Sequence, residues 1–140
     1  MDEIQTKLMH VELTEKIIGC FYDVFNELGY GFLESVYHEA MLIALRSVGL
    51  SVESKVKIPV HFRGKQVGYF EADCVVERKV VLEFKAADSI ATPHESQLLN
   101  YLKATAIEIG LLMNFGPKPV FKRFLFDNER KRSRPAINPS

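Results

Sequence analysis

The residues best suited to chemistry fall in one stretch, positions 69–86, with the sequence YFEADCVVERKVVLEFKA. The pattern predicts two short strands joined by a tight turn at Glu77-Arg78-Lys79. Side chains alternate along a strand, so Glu83 and Lys85 leave one side of the second strand while Val80, Leu82 and Phe84 leave the other. Asp73 ends the clean part of the first strand and is expected across the hairpin from them. Two carboxylates on adjacent strands make a hard oxygen site suited to a divalent cation such as magnesium or manganese. A lysine two residues past the second acid can hold or activate a water there, or neutralise charge on a phosphate. A bare E-x-K on a strand usually means no more than a wet face. Asp73 one hairpin earlier, and the polar groups that follow, turn the balance toward a site.

Those further groups come from two helices. Glu34 shares a helical stripe with Tyr37, Met41, Leu45 and Val48, which places a carboxylate within an apolar face. A buried carboxylate requires a hydrogen bond, a cation or a metal. The competing reading puts Glu34 at the rim of the core, facing water at the favourable end of the helix dipole. Tyr37, one turn on, can bond a carboxylate or simply pack. Gln97 and Tyr101 are four residues apart on a later helix, with Asn100 beside them, and can reach into a site or form a solvated face. His94 is assigned to the start of that helix rather than to a ligand set.

The elements that must position these groups follow from periodicity. Residues 1–12 give a weak pattern and are expected to fray. A helix is predicted from about Thr14 to Leu28, ended by Gly29. After a Gly29-Tyr30-Gly31 hinge, a second helix runs from about Leu33 to Val48. Three strands follow, 52–62, 66–76 and 80–86, as an antiparallel meander, with Pro59 marking the first as an edge or bulged strand. Thr92-Pro93-His94-Glu95 predicts a helix start with Thr92 as N-cap and Glu95 as its capping-box partner. The run Ile107–Phe115 is almost wholly apolar and is expected to be buried on both faces, parallel to the third strand across a right-handed crossover. Residues Val120–Phe126 alternate as an edge strand, and 127–140 form a polar, basic tail with Arg130, Lys131, Arg132 and Arg134, expected to be disordered.

The 140 residues suffice for one domain with a single core, placed at 13–126. The formal net charge of zero gives no global attraction for nucleic acid, so such binding must rest on local patches. Two cysteines, Cys20 and Cys74, show neither metal spacing nor a disulfide framework, which fits a reducing cytoplasm. No apolar run approaches a membrane span, and the mixed, acidic N-terminus is not a signal peptide.

In order, Asp73 and then Glu83-Phe84-Lys85 resemble the signature of the PD-(D/E)XK nuclease superfamily. Gln97-Leu98-Leu99-Asn100-Tyr101 resembles the Q-x-x-x-Y motif of its RecB- and Cas4-like branch, and Gly31 to Tyr37 is similar to the motif of the GxxExxY family within it. The resemblance covers about Leu13 to Phe126 and implies an α/β (α+β), restriction-endonuclease-like αβββαβ core, a central mixed sheet flanked by helices. It implies that Asp73, Glu83 and the backbone carbonyl of Phe84 ligate the metal, Mg²⁺ or Mn²⁺. Lys85 would orient the attacking water, and Glu34 would be a further acid ligand. Gln97 would position the lysine or the scissile phosphate. Tyr101 would support that helix face or touch the nucleic-acid backbone. Ala72 stands where the superfamily's name has proline. The RecB-like branch also has an upstream histidine ligand, whose place Glu34 would take here.

The expected function is a divalent-metal-dependent phosphodiesterase acting on nucleic acid, DNA in preference to RNA, with grip from local cations such as Lys55, Lys57 and Arg63. The rival is a non-catalytic module of the same fold that binds nucleic acid or a protein and leaves the acidic site idle. A weaker third option is hydrolysis of a small phosphate ester. A homodimer would help cut both strands of a duplex, with the edge strand near Val120–Phe126 as a candidate surface.

Overall fold

The computed structural model describes residues 3–132. Two helices come first, α1 (Glu3–Leu28) and α2 (Glu34–Ser47). The meander β1 (Val52–Phe62), β2 (Lys65–Val76) and β3 (Val80–Lys85) follows, then α3 (Thr92–Ala104), β4 (Ile109–Phe115), β5 (Pro119–Leu125) and the short α4 (Asn128–Arg132). The helix over the first segment begins at Glu3 rather than near Thr14, and part of the predicted tail, Asn128–Arg132, is helical. Residues 133–140, with Arg134, lie outside the described residues.

The five strands form one sheet in chain order, antiparallel throughout except for β3 with β4. Glu77 and Arg78 both adopt left-handed backbone (φ 53 and 55). Two such residues make the turn whose twist matches an antiparallel pair, which is why β2 and β3 can be so closely joined. The α3 crossover brings β4 parallel to β3, and β4 is buried along its whole length, as its apolar run predicts. Pro59 lies on the edge strand β1, where a missing N–H costs nothing, and the register slips just after it, between Val60 and His61.

The sheet carries a core on each face. On one side α1 and α2 bring Ile17, Phe21, Tyr37 and Met41 onto Cys74, Val80, Leu82, Phe84, Leu111 and Phe115. On the other, Leu98 of α3 packs with Ala72, Val75, Val81 and Leu112. Glu83 and Lys85 follow Val81 in the alternation, so they face the α3 layer. No described helix is long and apolar enough to cross a membrane.

The start of α3 differs from the prediction. The helix begins at Thr92 with Ala91 as the capping residue. The Ala91 N–H donates to Nδ1 of His94 at 3.4 Å, so histidine fills the role expected of Glu95. Glu95 instead pairs with Lys122 of β5 at 2.8 Å. The helix starts one residue earlier than the Thr92 cap implied, so the third helical position falls on His94 and Glu95 is left for a partner on a distant strand.

Candidate active site at the fork between two strands

The β2–β3 ladder runs only from Val76↔Val80 to Cys74↔Leu82. One step further, where Asp73 would face Glu83, the strands part and side chains take over the hydrogen bonds. The Phe84 N–H donates to Oδ2 of Asp73 at 2.8 Å. The Asp73 N–H donates to Oε1 of Glu83 at 3.3 Å. Each acid is thereby fixed by the other's strand, with one carboxylate oxygen outside these two bonds. A reversal of faces marks the same point. Phe70 and Ala72 belong to the α3 side, whereas Cys74 and Val76 belong to the α1–α2 side. Strict alternation would put all four on one face, so Asp73 sits where β2 rolls from one layer to the other.

The electrostatics follow from burial. Glu83 is 7% exposed. Burial first, then the charge and side-chain hydrogen bond of Asp73, push its carboxyl up to about 9, against smaller opposing pulls from the Asp73 N–H and then Lys85. Burial also raises the Cys74 thiol to about 12, with Asp73 and Glu83 adding to it, so this thiol is unreactive near neutrality. On the α3 side Tyr101 is buried against Phe70, and its hydroxyl has no hydrogen-bond partner among the described residues. Burial and the Glu83 charge raise its pKa. A buried hydroxyl left unpaired beside an acid is a costly arrangement unless a further group completes it.

On the opposite side of the fork a cavity of about 200 Å³ is lined by Glu34, Ser35, His38, Glu39, Lys55, Asp73 and Phe84. Glu34 is exposed at the first residue of α2, so it occupies the rim and not the interior of the apolar stripe. Tyr37 does not border the cavity. It is fully buried, stacks on Phe115 with ring centroids 4.3 Å apart, donates its hydroxyl to Gly29 O at 2.6 Å and accepts from the Phe32 N–H at 3.2 Å. Those bonds close the loop in which Gly31 takes φ +112, and so they set where α2 and Glu34 begin. Tyr37→Phe is expected to cost about 1–3 kcal/mol, because two part-buried backbone groups lose their partner. Denaturant unfolding of the variant beside wild type checks this, and an unchanged midpoint would show that water replaces the hydroxyl.

The structure thus brings Asp73 and Glu83 together, with Lys85 following on β3, and places Glu34 across the cavity. It separates Gln97 and Asn100, which are exposed on α3, from Tyr101, which is buried. Sequence analysis missed two residues at the site. His38, one turn beyond Glu34, is a histidine in the cavity wall, where the sequence suggested that Glu34 stands in for one. Its Nε2 lies 2.8 Å from Ser54 Oγ, and its ring meets the edge of Phe84. The Glu34-x-x-x-His38 spacing was the available signal. Asn114 of β4 clamps the chain just beyond Lys85, accepting from the Ala87 N–H at 3.0 Å and donating to Ala87 O at 2.9 Å. No local pattern announces that contact.

Among the described residues no three His, Cys, Asp or Glu side chains gather tightly enough to enclose an ion by themselves. The donor set at the fork is nevertheless of the right kind. It has two hard carboxylates in contact, the Phe84 backbone between them, and space in the cavity that Asp73 and Phe84 line. A cation that keeps several waters and takes one or two carboxylates together with substrate phosphate fits such a site.

Comparison with known proteins agrees with this geometry. The profile of the PD-(D/E)XK nuclease superfamily matches residues 11–124, so the chain belongs to that superfamily. The mixed five-stranded sheet with its helices is consistent with the restriction-endonuclease-like fold. Superfamily members are generally hydrolytic nucleases and typically use divalent metals. No curated protein matches the chain. The crystal structure of SSO0001 is similar, with a TM-score of 0.55 and 19% identity over 70% of this chain and 53% of that one. The chain therefore spans about half the length of that structure, and the likeness is one of fold alone.

Proposed function

We propose that this domain is a magnesium- or manganese-dependent nuclease of the GxxExxY branch that hydrolyses phosphodiester bonds, in DNA in preference to RNA. The observation that carries this reading is the buried Glu83 carboxyl pressed against Asp73 at the strand fork, with Lys85 next along β3. Asp73, Glu83 and the Phe84 carbonyl would hold the cation, and Glu34, which borders the same cavity as Asp73 from α2, would be a further acid ligand. When bound, the cation neutralises phosphate charge and acidifies a water. Lys85 orients the water for in-line attack and offsets charge on the pentavalent transition state. Asn114 keeps the chain after Lys85 in place. Tyr101 supports the α3 side of Glu83, while Gln97 and Asn100, exposed on the same helix, meet substrate at the site's margin. Residues 13–126 form the functional unit, in the cytoplasm, and pairing of two copies along β5 would present two sites to a duplex.

The test is incubation with Mn²⁺ and end-labelled single- and double-stranded DNA and RNA. Wild type is expected to cleave. Lys85→Ala should lose about 10²–10⁴-fold in rate while keeping its calorimetric Mn²⁺ binding. Oligonucleotide binding that ignores the metal, without cleavage, would select the non-catalytic module instead. Absence of Mn²⁺ binding even with oligonucleotide present would sink the metal assignment.

A further inference from the structure

The proposed nuclease site has a cation on β1 that its signature residues do not account for. The β1–β2 ladder pairs Ser54 with Cys74 and Val56 with Ala72, yet skips the pair between them, Lys55 and Asp73. At that step Lys55 adopts a left-handed backbone with φ 53. Strand residues with a side chain avoid this region, and such strain concentrates where function demands a particular geometry. It has a visible effect. Val52 packs with the α1–α2 core, whereas Val56 and Ile58, which alternation would keep on the same face, pack with the α3 core. The kink in β1 therefore matches the roll of β2 at Asp73, and it turns Lys55 into the wall of the cavity that Glu34, Glu39 and Asp73 also line.

Lys55 is exposed there and makes no ion pair among the described residues, although three acids border the same cavity. A lysine recruited only to balance those acids would be expected within pairing distance of one of them. We infer that Lys55 is a phosphate-binding residue, one whose ammonium takes a backbone phosphate of the nucleic acid that enters this cavity beside Asp73. This rests on the nuclease reading and adds a specific substrate contact to it. The contact is to a non-bridging phosphate oxygen and carries no base specificity.

Lys55→Gly tests it cleanly, because glycine adopts left-handed backbone without strain. A merely structural Lys55 would make the variant less stable. The inference expects a melting temperature that is not lowered, together with weaker substrate binding. Binding of short oligothymidylate is measured against KCl concentration in a Glu83→Gln background, so that the strand stays intact. Loss of one phosphate contact should reduce the slope of log K against log salt by about 0.7. In the Glu83-containing protein, kcat/KM for the same strand should fall about tenfold, chiefly through KM, since the contact persists from ground state to transition state. Lys55→Arg should restore most of both. Wild type that binds and cleaves while Lys55→Gly matches it in slope and KM overturns the inference alone. A lowered melting temperature with no change in slope also overturns it. Wild type that neither binds nor cleaves removes the nuclease reading, and this contact with it.

Discussion

Glu83→Gln is expected to leave a better-folded but inactive protein, and the gain in stability should grow with pH. The folded-state carboxyl of Glu83 lies at about 9, well above its ordinary value, because of burial and then the neighbouring Asp73. The folded protein thus holds a proton that the unfolded chain releases. The stability linked to that proton is fully present below about 4.5, the ordinary value. It is lost progressively as pH rises toward about 9. Across that window the metal-free wild type should lose several kcal/mol. Glutamine carries no titrating proton and removes the slope. Melting temperatures of the two proteins in chelator should nearly coincide at pH 5 and separate by several degrees or more at pH 9. Parallel curves would show that Glu83 is not held in its neutral form. The same proton opposes metal binding, so the apparent Mn²⁺ affinity of wild type should climb with pH by up to about tenfold per unit. Cleavage by Glu83→Gln should fall by at least about 10³-fold, the scale set by loss of a principal electrostatic group.

Asp73→Ala and Asp73→Asn should be equally inactive yet differ in stability. At first sight, removing either acid relieves crowding and leaves the fold intact or firmer. The structure divides the two cases. Asp73 accepts the Phe84 N–H, and Phe84 is almost fully buried. Alanine leaves that N–H without a partner, a penalty of about 1–3 kcal/mol, whereas asparagine keeps an acceptor oxygen in place. Urea midpoints should therefore rank wild type and Asp73→Asn together, with Asp73→Ala below them. An Asp73→Ala protein as stable as Asp73→Asn would mean that water reaches the Phe84 N–H. Calorimetry with Mn²⁺ should show binding lost or strongly weakened in both variants, since an amide oxygen replaces a charged ligand.

Much of the fold was legible because its signals are local. The alternation of Val80, Leu82 and Phe84 against Glu83 and Lys85, the tight turn at Glu77-Arg78-Lys79 and the unbroken apolar run of β4 each depend on neighbours in the chain. The juxtaposition of Asp73 with Glu83 was legible for the same reason, being one step beyond a tight hairpin. What escaped depends on distant partners. His94 takes the place expected of Glu95 at the α3 start because the cap falls on Ala91, one residue earlier, and Glu95 pairs with Lys122 of β5. Asn114 holds Ala87 across a parallel strand pair. Glu34 lies on a stripe that a helical wheel paints as core, but the core ends at Tyr37, whose hydroxyl is spent on the Gly29–Phe32 loop. The left-handed Lys55 had no sequence mark, since a lysine is a poor advertisement for positive φ.

The single parallel pairing also bears on how the chain reaches this structure. The β1–β2–β3 meander is made of sequence-adjacent contacts, which close quickly. β3 has no second neighbour until α3 has been laid down and β4 has arrived from across the crossover. Until then the Glu83 strand remains an open edge with its acids wet and its proton free to leave. Loop closure over α3 is thus expected to be the slower, entropically more demanding stage. It is also the stage at which water is excluded from the carboxyl pair. Assembly of the chemistry and completion of the sheet are therefore expected to coincide, and refolding rates measured against pH should fall in alkali as the edge that β4 must cover becomes charged.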